Sequence, residues 1–369
     1  MKVSADRSAL LKALAHAQSV VEKRTTIPIL SHVLLEAEGD LLRLTSTDLE
    51  LAIVESVPAQ VEKIGSTTVP AHMLHDIVRK LPDGAAITMT LDPNTKRLTL
   101  SAGRSRFQLS CLPVEEFPAI QAVDMVHKFR VSAKEMLRLI DRTRFAMSTE
   151  ETRYNLNGIF FHAAEGSELR AVATDGHRLA RASMPLPQEA ASMPGVILSR
   201  KAVGEMTKIL SVTEGDVLVG FSDTQMSLTF EGGYLTSRLI DGTFPEYERV
   251  IPAGNDKVLR VDIKSFSDAV DRVATISAEK TRGVKVALSN GKIILTAASA
   301  ETGMASEEME VDYQASELEV GFNSRYLLDI AQQIGSGGAE FAFADPVSPV
   351  LIRDDADASA LYVLMPMRV

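Results

Sequence analysis

Cysteine and aromatic residues are scarce in this 369-residue chain. The single cysteine, Cys111, cannot form an internal disulfide or a thiolate cluster for zinc or iron–sulfur, so we expect a reducing, cytoplasmic location. Tryptophan is absent and aromatic residues make up 5%, which argues against a stacking platform for single-stranded nucleic acid. No run approaches the roughly 20 apolar residues of a membrane span, and charged residues interrupt the N-terminal segment. We therefore expect neither a membrane partner nor a secretory signal.

Acidic residues outnumber basic ones, 49 to 39, for a net charge of −10. This balance argues against a protein that coats nucleic acid with its whole surface, but it is compatible with a local basic face. Hydrophobic residues make up 45% and charged residues 24%, an ordinary globular composition. The length predicts two or three domains.

The chain repeats itself in three parts. KVSADRSALLKAL, FRVSAKEMLRLI and LRVDIKSFSDAV each pair a short strand-like run with a helical apolar pattern. Asp48 in LTSTDLELA and Asp175 in AVATDGHRLA are 127 positions apart, and Phe117 and Phe244 are again 127 positions apart. One offset at two separate landmarks indicates duplication, and the third part is the most diverged.

Each part combines helical and strand-like patterns. The first helix is expected at about Ser8–Val20. Apolar and polar residues alternate between the helices, and Gly232-Gly233 and Asn290-Gly291 are typical hairpin turns. We therefore predict an α+β fold with two helices packed on antiparallel sheets of about eight strands in each part. Residues suited to a helix N-terminus precede the second helical pattern of each part: Pro70, Ser199, and Asn323 or Ser324.

Basic residues gather on the predicted helices. Lys134, Arg138 and Arg142 are four apart and share one helix face. For a single helix, an ordinary solvated face is the simpler explanation, but repetition on four of six helices favours a shared basic surface. Without interleaved aromatics, such rows suit phosphates, which predicts weak, salt-sensitive, sequence-independent binding to duplex DNA. The candidate residues are Lys12, Lys23, Arg24, Arg79, Lys134, Arg138, Arg142, Arg200 and Lys201.

The string Thr174–Arg178 is the sharpest candidate for chemistry. Asp175 and His177 could serve acid–base catalysis in a hydrolase, but the chain has no Gly-x-Ser-x-Gly elbow, P-loop or Gly-x-Gly-x-x-Gly motif. The favoured interpretation is a tight turn in which Asp175 binds backbone and Gly176 supplies an unusual dihedral angle. His72 and His75 lack further ligands. We therefore predict no catalytic residue, metal site or cofactor.

Several motifs carry a family resemblance. They are LNG at Leu156–Gly158, ATDGHRLA from Ala173, DGTFPEYERVIP from Asp241 and the terminal YVLMPMRV. With the threefold repeat, and in this order along the whole chain, they resemble the bacterial replicative DNA polymerase III beta sliding clamps. The resemblance implies a protein that is not an enzyme. It also implies three clamp domains, at 1–125, 126–253 and 254–369.

The resemblance implies a ring of two protomers joined head to tail. Its helices would surround duplex DNA, and Arg153 and Tyr154 would lie in a loop that touches the DNA. The edge around Ser105–Leu112 would pair with the edge around Glu301–Tyr313 of the other protomer, with Phe107 and Ile276 as apolar anchors. The ring would tether the replicative polymerase, and an ATP-dependent loader would open it.

The resemblance also implies a hydrophobic pocket for short peptides. Aliphatic, proline and methionine side chains would form the groove, and arginine and asparagine would fix polar groups of the peptide. Methionine is either ordinary core filling or an adaptable binding surface. The implied residues are Arg153, Leu156, Thr174, Gly176, His177, Arg178, Leu179, Pro245, Arg249, Val250, Asn323, Tyr326, Val347, Pro349, Met365, Pro366, Met367 and Arg368.

The expected partners follow from these two surfaces. They are double-stranded DNA, a second copy of the chain, the replicative polymerase, the loader, and other polymerases and repair proteins that carry short clamp-binding peptides. An alternative function is a peptide-binding scaffold that never touches DNA. A third hypothesis, a hydrolase that uses Asp175 and His177, requires activity to depend on those two side chains.

Overall fold

A computed structural model describes residues 1–23, 25–120, 123–165, 167–277, 282–335 and 337–368. Six α-helices lie within these ranges. They are α1 (Arg7–Val20), α2 (Ala71–Lys80), α3 (Ala133–Arg144), α4 (Arg200–Ser211), α5 (Ile263–Ala274) and α6 (Ser324–Ala331).

The described residues also form twenty-five strands. The first eight are β1 (Lys2–Asp6), β2 (His32–Glu38), β3 (Leu41–Thr47), β4 (Leu51–Lys63), β5 (Gly65–Pro70), β6 (Ala86–Asp92), β7 (Arg97–Ala102) and β8 (Ser105–Ser110). The next eight are β9 (His127–Ser132), β10 (Gly158–Ala164), β11 (Glu168–Thr174), β12 (Arg178–Pro185), β13 (Val196–Ser199), β14 (Asp216–Phe221), β15 (Gln225–Phe230) and β16 (Gly233–Arg238). The last nine are β17 (Lys257–Asp262), β18 (Gly283–Ser289), β19 (Lys292–Ser299), β20 (Gly303–Glu310), β21 (Asp312–Tyr313), β22 (Leu318–Asn323), β23 (Gly338–Phe343), β24 (Val350–Asp354) and β25 (Ala360–Leu364).

The helices begin where the sequence places suitable capping residues. The Asp6 carboxylate accepts from the amides of Ser8 and Ala9, which satisfies two of the free donors at the start of α1. Asn323 accepts from the Arg325 amide at the start of α6. The predicted starts of the second helices are confirmed to within one residue.

The predicted hairpins form, one of them with a shifted turn. Asn290-Gly291 joins β18 to β19, with Ser289 paired to Lys292. Gly233 is already paired with Phe230 in the sheet, so the other two-residue turn is Glu231-Gly232 rather than Gly232-Gly233. The positive φ of +85° at Gly232 explains the shift, because that angle suits the turn position and not an extended strand.

One compact unit comprises Met1–Leu137, Pro187–Met193 and Lys201–Leu239. Its twelve-stranded sheet runs β8-β7-β6-β1-β4-β16-β15-β14-β9, with β2, β3 and β5 attached beside β4. Apolar residues of α1 and α2, among them Leu10, Leu14 and Leu74, are fully buried against the strands. Burial of this apolar face is the main source of the stability of the unit.

The second compact unit comprises Arg138–Leu186, Pro194–Arg200 and Ile240–Val369. Its nine-stranded sheet runs β13-β10-β11-β12-β25-β24-β23-β17-β21, and a four-stranded sheet runs β20-β19-β18-β22. The strand pairs that the described residues form are antiparallel in both units, and the α+β fold class is confirmed. None of the described helices is both long and apolar enough to cross a lipid bilayer.

The compact units do not follow the three sequence repeats. Strand β4 of the first repeat pairs with β16 of the second, and β12 of the second pairs with β25 of the third. The middle repeat therefore contributes strands to both units. The three domain boundaries suggested by the sequence stay a prediction.

Candidate peptide pocket and nucleic-acid interface

The string Thr174–Arg178 folds as a tight turn between β11 and β12. Asp175 Oδ1 accepts from the amides of His177 and Arg178 at 2.9 and 3.0 Å. The Thr174 hydroxyl donates to Arg178 O at 2.7 Å, and Gly176 has a φ of +87°. The turn interpretation is therefore confirmed, since the Asp175 carboxylate is occupied by backbone amides and glycine supplies the left-handed residue.

Arg178 is a buried cation held on several sides. It donates to Asp175 Oδ2 at 3.1 Å, to Asp329 Oδ2 at 2.5 Å and to Phe145 O at 2.7 Å. Its guanidinium also lies 4.4 Å from the ring centroid of Tyr326, in cation–π geometry. Two carboxylates and a carbonyl satisfy the charge, so Arg178 fixes the turn to α6.

An apolar pocket opens beside this turn, with a cavity of about 230 Å³. Most of its wall is aliphatic or aromatic, which favours the burial of apolar side chains from a ligand. The residues that line the apolar pocket are Leu156, Thr174, Gly176, Arg178, Leu179, Pro245, Glu246, Tyr247, Val250, Val363 and Met365.

A column of rings supports the pocket wall. Phe244 stacks on Phe160 and Phe160 on His162, each with ring centroids 4.9 Å apart, and His162 tilts against Tyr247 at 5.7 Å. His162 Nε2 lies 3.0 Å from the Tyr247 hydroxyl, which also accepts from Arg170 at 3.3 Å. Burial lowers the pKa of His162 and raises that of Tyr247, so both groups are neutral near pH 7.

Eight of the residues implied for peptide binding lie together in this pocket. They are Leu156, Thr174, Gly176, Arg178, Leu179, Pro245, Val250 and Met365. The other ten are not among its lining residues; they are Arg153, His177, Arg249, Asn323, Tyr326, Val347, Pro349, Pro366, Met367 and Arg368.

Several of these ten residues make defined contacts within the same compact unit. Arg153 donates to Asp175 O at 3.3 Å, and the ring of His177 stacks on that of Tyr326 at 6.3 Å. Met367 N donates to Gly321 O at 2.8 Å, which ties the C-terminal segment to β22. Asn323 caps α6, and the Pro349 carbonyl accepts from Asn255.

Three lining residues were missed by the sequence reasoning: Glu246, Tyr247 and Val363. All three lie inside the motifs EYERVIP and YVLMPM, which also contain named residues, and Glu246 directly follows Pro245. The sequence signal was available for Val363, because it lies two positions before Met365, and residues two apart point to the same side of an extended chain.

The predicted DNA-binding residues fall into two groups. Lys12, Lys23, Arg79, Lys134, Arg153, Tyr154 and Arg200 are exposed, whereas Arg138, Arg142 and Lys201 are partly buried. Arg24 lies outside the described residues. Exposed lysines keep their charge available to a phosphate, whereas partly buried ones are held by neighbours in the fold.

Contacts within the protein hold the partly buried group. Arg138 donates to Ser359 Oγ at 2.7 Å and to Ser183 O at 2.9 Å. Arg142 reaches Asp357 at 3.5 Å, and Lys201 forms an ion pair with Asp48. Arg200 as a whole is exposed, but its guanidinium donates hydrogen bonds to the backbone carbonyls of Met147 and Ser148. These cations support the local fold, so we expect a smaller part for them in phosphate contact.

The two predicted dimer anchors are both partly buried. Phe107 lies on β8, an edge strand, and packs against the core of its unit. Ile276 follows α5, and its carbonyl accepts from the Thr302 hydroxyl at 2.7 Å, directly before the edge strand β20. Both anchors therefore lie at or beside an open sheet edge.

Histidine and acidic side chains do not assemble a metal site in the part of the chain that the structure describes. His72 lies 3.2 Å from both Gln18 Oε1 and Val21 O, so hydrogen bonds within the first unit account for its ring. Burial lowers the pKa of the neighbouring His75.

Three family models match successive parts of the chain. The DNA polymerase III beta subunit N-terminal domain matches residues 1–121, the central domain residues 130–246, and the C-terminal domain residues 248–368. The beta sliding clamp of Caulobacter vibrioides NA1000 is 51% identical, and that of Escherichia coli K12 is 40% identical, each over 100% of both chains.

Solved structures agree with this assignment. The sliding clamp (DNA polymerase III subunit beta) from Bartonella birtlesii bound to griselimycin superposes with a TM-score of 0.97 at 47% identity. The Caulobacter crescentus pol III beta structure gives a TM-score of 0.94 at 50% identity. Both cover 100% of each chain.

Proposed function

The chain belongs to the DNA polymerase III beta subunit family, that of the beta sliding clamps, and on this premise we propose that it encircles duplex DNA as a ring of two copies and tethers a polymerase to it. The observation that carries the proposal is the match of three successive clamp domains, at residues 1–121, 130–246 and 248–368. Sliding clamps are not enzymes, and the turn geometry at Asp175 leaves the hydrolase hypothesis without support.

The proposal assigns DNA contact to exposed cations on the helices. Lys12 lies on α1 and Lys134 at the start of α3, and both side chains are exposed. Point charges on flexible stems suit phosphates of any sequence, so binding is expected to be weak and strongly dependent on salt. Such loose contact allows a closed ring to move along the duplex.

Topology provides the direct test of this proposal. A ring assembled on nicked circular DNA should stay on the circle through gel filtration in about 0.5 M salt, where charge contacts alone fail. Linearising the circle with a restriction enzyme should release it within minutes. Equal loss from circles and from linear DNA would refute encirclement.

A charge-reversal pair separates the clamp from a scaffold that never touches DNA. Lys12→Glu with Lys134→Glu should weaken duplex binding at low salt by at least tenfold and leave peptide binding unchanged. Each phosphate contact that is lost should also lower the slope of log K against log salt by about 1. Lys63→Glu is the matched control, because Lys63 is exposed but lies on the strand β4. If peptide binding persists and neither variant changes DNA binding, the scaffold is the better description.

We propose that the apolar pocket holds short peptides of polymerases, the loader and repair proteins. The aliphatic wall that includes Leu179, Val363 and Met365 would receive apolar side chains of the peptide. Met365→Lys places a charge in this wall and should weaken peptide binding at least tenfold, whereas Arg249→Met, at an 81% exposed side chain outside the pocket lining, should have little effect.

We further propose that edge strands form the contact between two copies. Strand β8 ends the sheet of one unit and β20 ends the four-stranded sheet of the other, and backbone groups at both edges are open to pairing. Exposed Arg106 on β8 and acidic residues on β20 offer charges of opposite sign. Phe107→Glu should convert a dimer to monomers in sedimentation velocity, and an unchanged dimer mass would exclude this contact.

A further inference from the structure

The turn beside the apolar pocket has a counterpart in the other compact unit. Thr47–Leu51 lies 127 residues before Thr174–Arg178 and has the same hydrogen-bond pattern. The Thr47 hydroxyl donates to Leu51 O at 2.9 Å and accepts from the Leu49 amide at 3.0 Å. The carboxylate Oδ1 of Asp48 accepts from the two amides that follow Leu49, at 3.0 and 2.7 Å.

The strands around this turn are duplicated as well. Leu51 pairs with Ser237 and Ala52 with Thr236, just as 127 positions later Arg178 pairs with Leu364 and Leu179 with Val363. The Arg238 amide donates to Glu50 O at 2.8 Å, which matches the bond from the Met365 amide to His177 O at 2.9 Å. The backbone frame of the apolar pocket is therefore present twice in the chain.

A cavity of about 210 Å³ occupies the duplicated frame. This cavity, the polar pocket, has Thr236 where the apolar pocket has Val363, and Arg238 where it has Met365. Its wall includes Thr47, Leu49, Glu50, Thr236, Ser237 and Arg238. The two pockets thus share a shape-determining backbone and nearly the same volume but differ in chemistry.

The conformation of Leu49 indicates that the polar pocket has a binding role and is not only a consequence of the duplication. It takes the place of Gly176 with a φ of +81°, a conformation that costs a residue with a Cβ about 1–2 kcal/mol. Its side chain lines the pocket and is 53% exposed, so no buried packing compensates for the strain. Strained backbone of this kind concentrates at ligand clamps.

We propose that the polar pocket binds a short extended peptide segment that carries one acidic side chain. Arg238 is exposed, and none of the described residues forms an ion pair with it, so its guanidinium is available to a carboxylate. Leu49 contacts the neighbouring apolar residue of the segment. Glu50, the other charged residue among the described lining, selects against a second carboxylate nearby. The choice of a peptide rests on the proposed function of the apolar pocket, because both cavities share one frame.

Methyl NMR of the full-length chain tests the proposal. The probes are N-acetyl-Ala-Asp-Leu-Ala-amide and the same peptide with Lys in place of Asp. The acidic probe should shift the methyl signals of Thr236 and Leu49 in a saturable way, and the basic probe should bind at least tenfold more weakly. Arg238→Met, which installs the residue of the apolar pocket, should abolish the preference for the acidic probe.

The outcomes distinguish this proposal from that of the apolar pocket, which the Met365 methyl signal reports separately. Failure of peptides to shift Met365 counts against the proposed function, whereas saturation of Met365 with no change at Thr236 overturns the present inference alone. Equal affinity for the two probes, or an equal shift caused by free acetate, also overturns it. Arg97→Met is the control, because Arg97 is an exposed arginine on β7 outside the pocket lining.

Discussion

Replacement of Arg178 by methionine tests the account of the apolar pocket most directly. Methionine retains much of the aliphatic stem but removes the guanidinium that joins Asp175, Asp329 and Phe145 O. Breaking a buried ion pair from one side costs about 3–5 kcal/mol, because the remaining charge is left unpaired. The Asp175 and Asp329 side chains keep 15% and 25% exposure, so water restores part of their solvation, and we expect a loss of about 3 kcal/mol.

A second substitution shows where this cost arises. Asp329→Asn in the Arg178→Met background removes one of the unpaired carboxylates, so the double variant should be about 1–2 kcal/mol more stable than Arg178→Met alone. In the unchanged protein, Asp329→Asn should instead destabilise, because Arg178 would lose a carboxylate. The opposite signs are the signature of a paired buried charge.

Urea unfolding followed by tyrosine fluorescence is a suitable assay. The chain has no tryptophan, and five of its six tyrosines, all except Tyr234, lie in the unit that contains Arg178. The signal therefore reports mainly the unit that is perturbed. A loss below about 1 kcal/mol for Arg178→Met, or a double variant no more stable than the single one, would refute the reasoning.

Three further predictions concern the turns, the ring column and the pocket. Because Gly176 and Leu49 both have positive φ, Gly176→Ala should lower the free energy of unfolding by about 1 kcal/mol, and Leu49→Gly should raise it by about 0.5–1 kcal/mol. Urea midpoints that move in the same direction for the two variants would contradict this. Because the pKa of His162 is lowered in the folded protein, His162 of the unfolded chain is protonated at a higher pH than His162 of the folded chain. The free energy of unfolding should therefore decline as the pH falls from about 6.5 towards 5. His162→Phe should flatten that decline in tyrosine-detected unfolding. Leu179→Ser should weaken peptide binding about tenfold or more in calorimetry, and an unchanged affinity would place the peptide elsewhere.

Local chemistry made much of the fold predictable. Asp6 and Asn323 are capping residues by type, and Asn290-Gly291 is a turn by type, so their positions needed no distant information. The threefold repeat predicted two helices and about eight strands for each part, and the described residues form eight, eight and nine strands in the three ranges. Patterns within a dozen residues were sufficient for these features.

Side-chain contacts between residues far apart in the chain could not be predicted from the sequence. Arg138 and Arg142 look like a solvent-facing stripe by spacing, but a segment more than 200 positions away supplies Ser359 and Asp357 to hold them. Arg178 was identified as a pocket residue, yet its pairing with Asp329, 151 positions away, could not be inferred. Spacing along a helix shows which residues share a face, but not which other element covers that face.

The continuity of the sheets across the sequence repeats constrains how this chain can be divided. Cutting between the second and third repeats would separate β12 from β25 and leave two long open edges, each with unpaired backbone donors and acceptors. A chimaera that exchanges one repeat with a related protein would have to match the register of β4 with β16 or of β12 with β25 as well as its own core. Recombinant chains with breakpoints at the repeat boundaries should therefore fold poorly, although the sequence alone suggests that these boundaries separate independent domains.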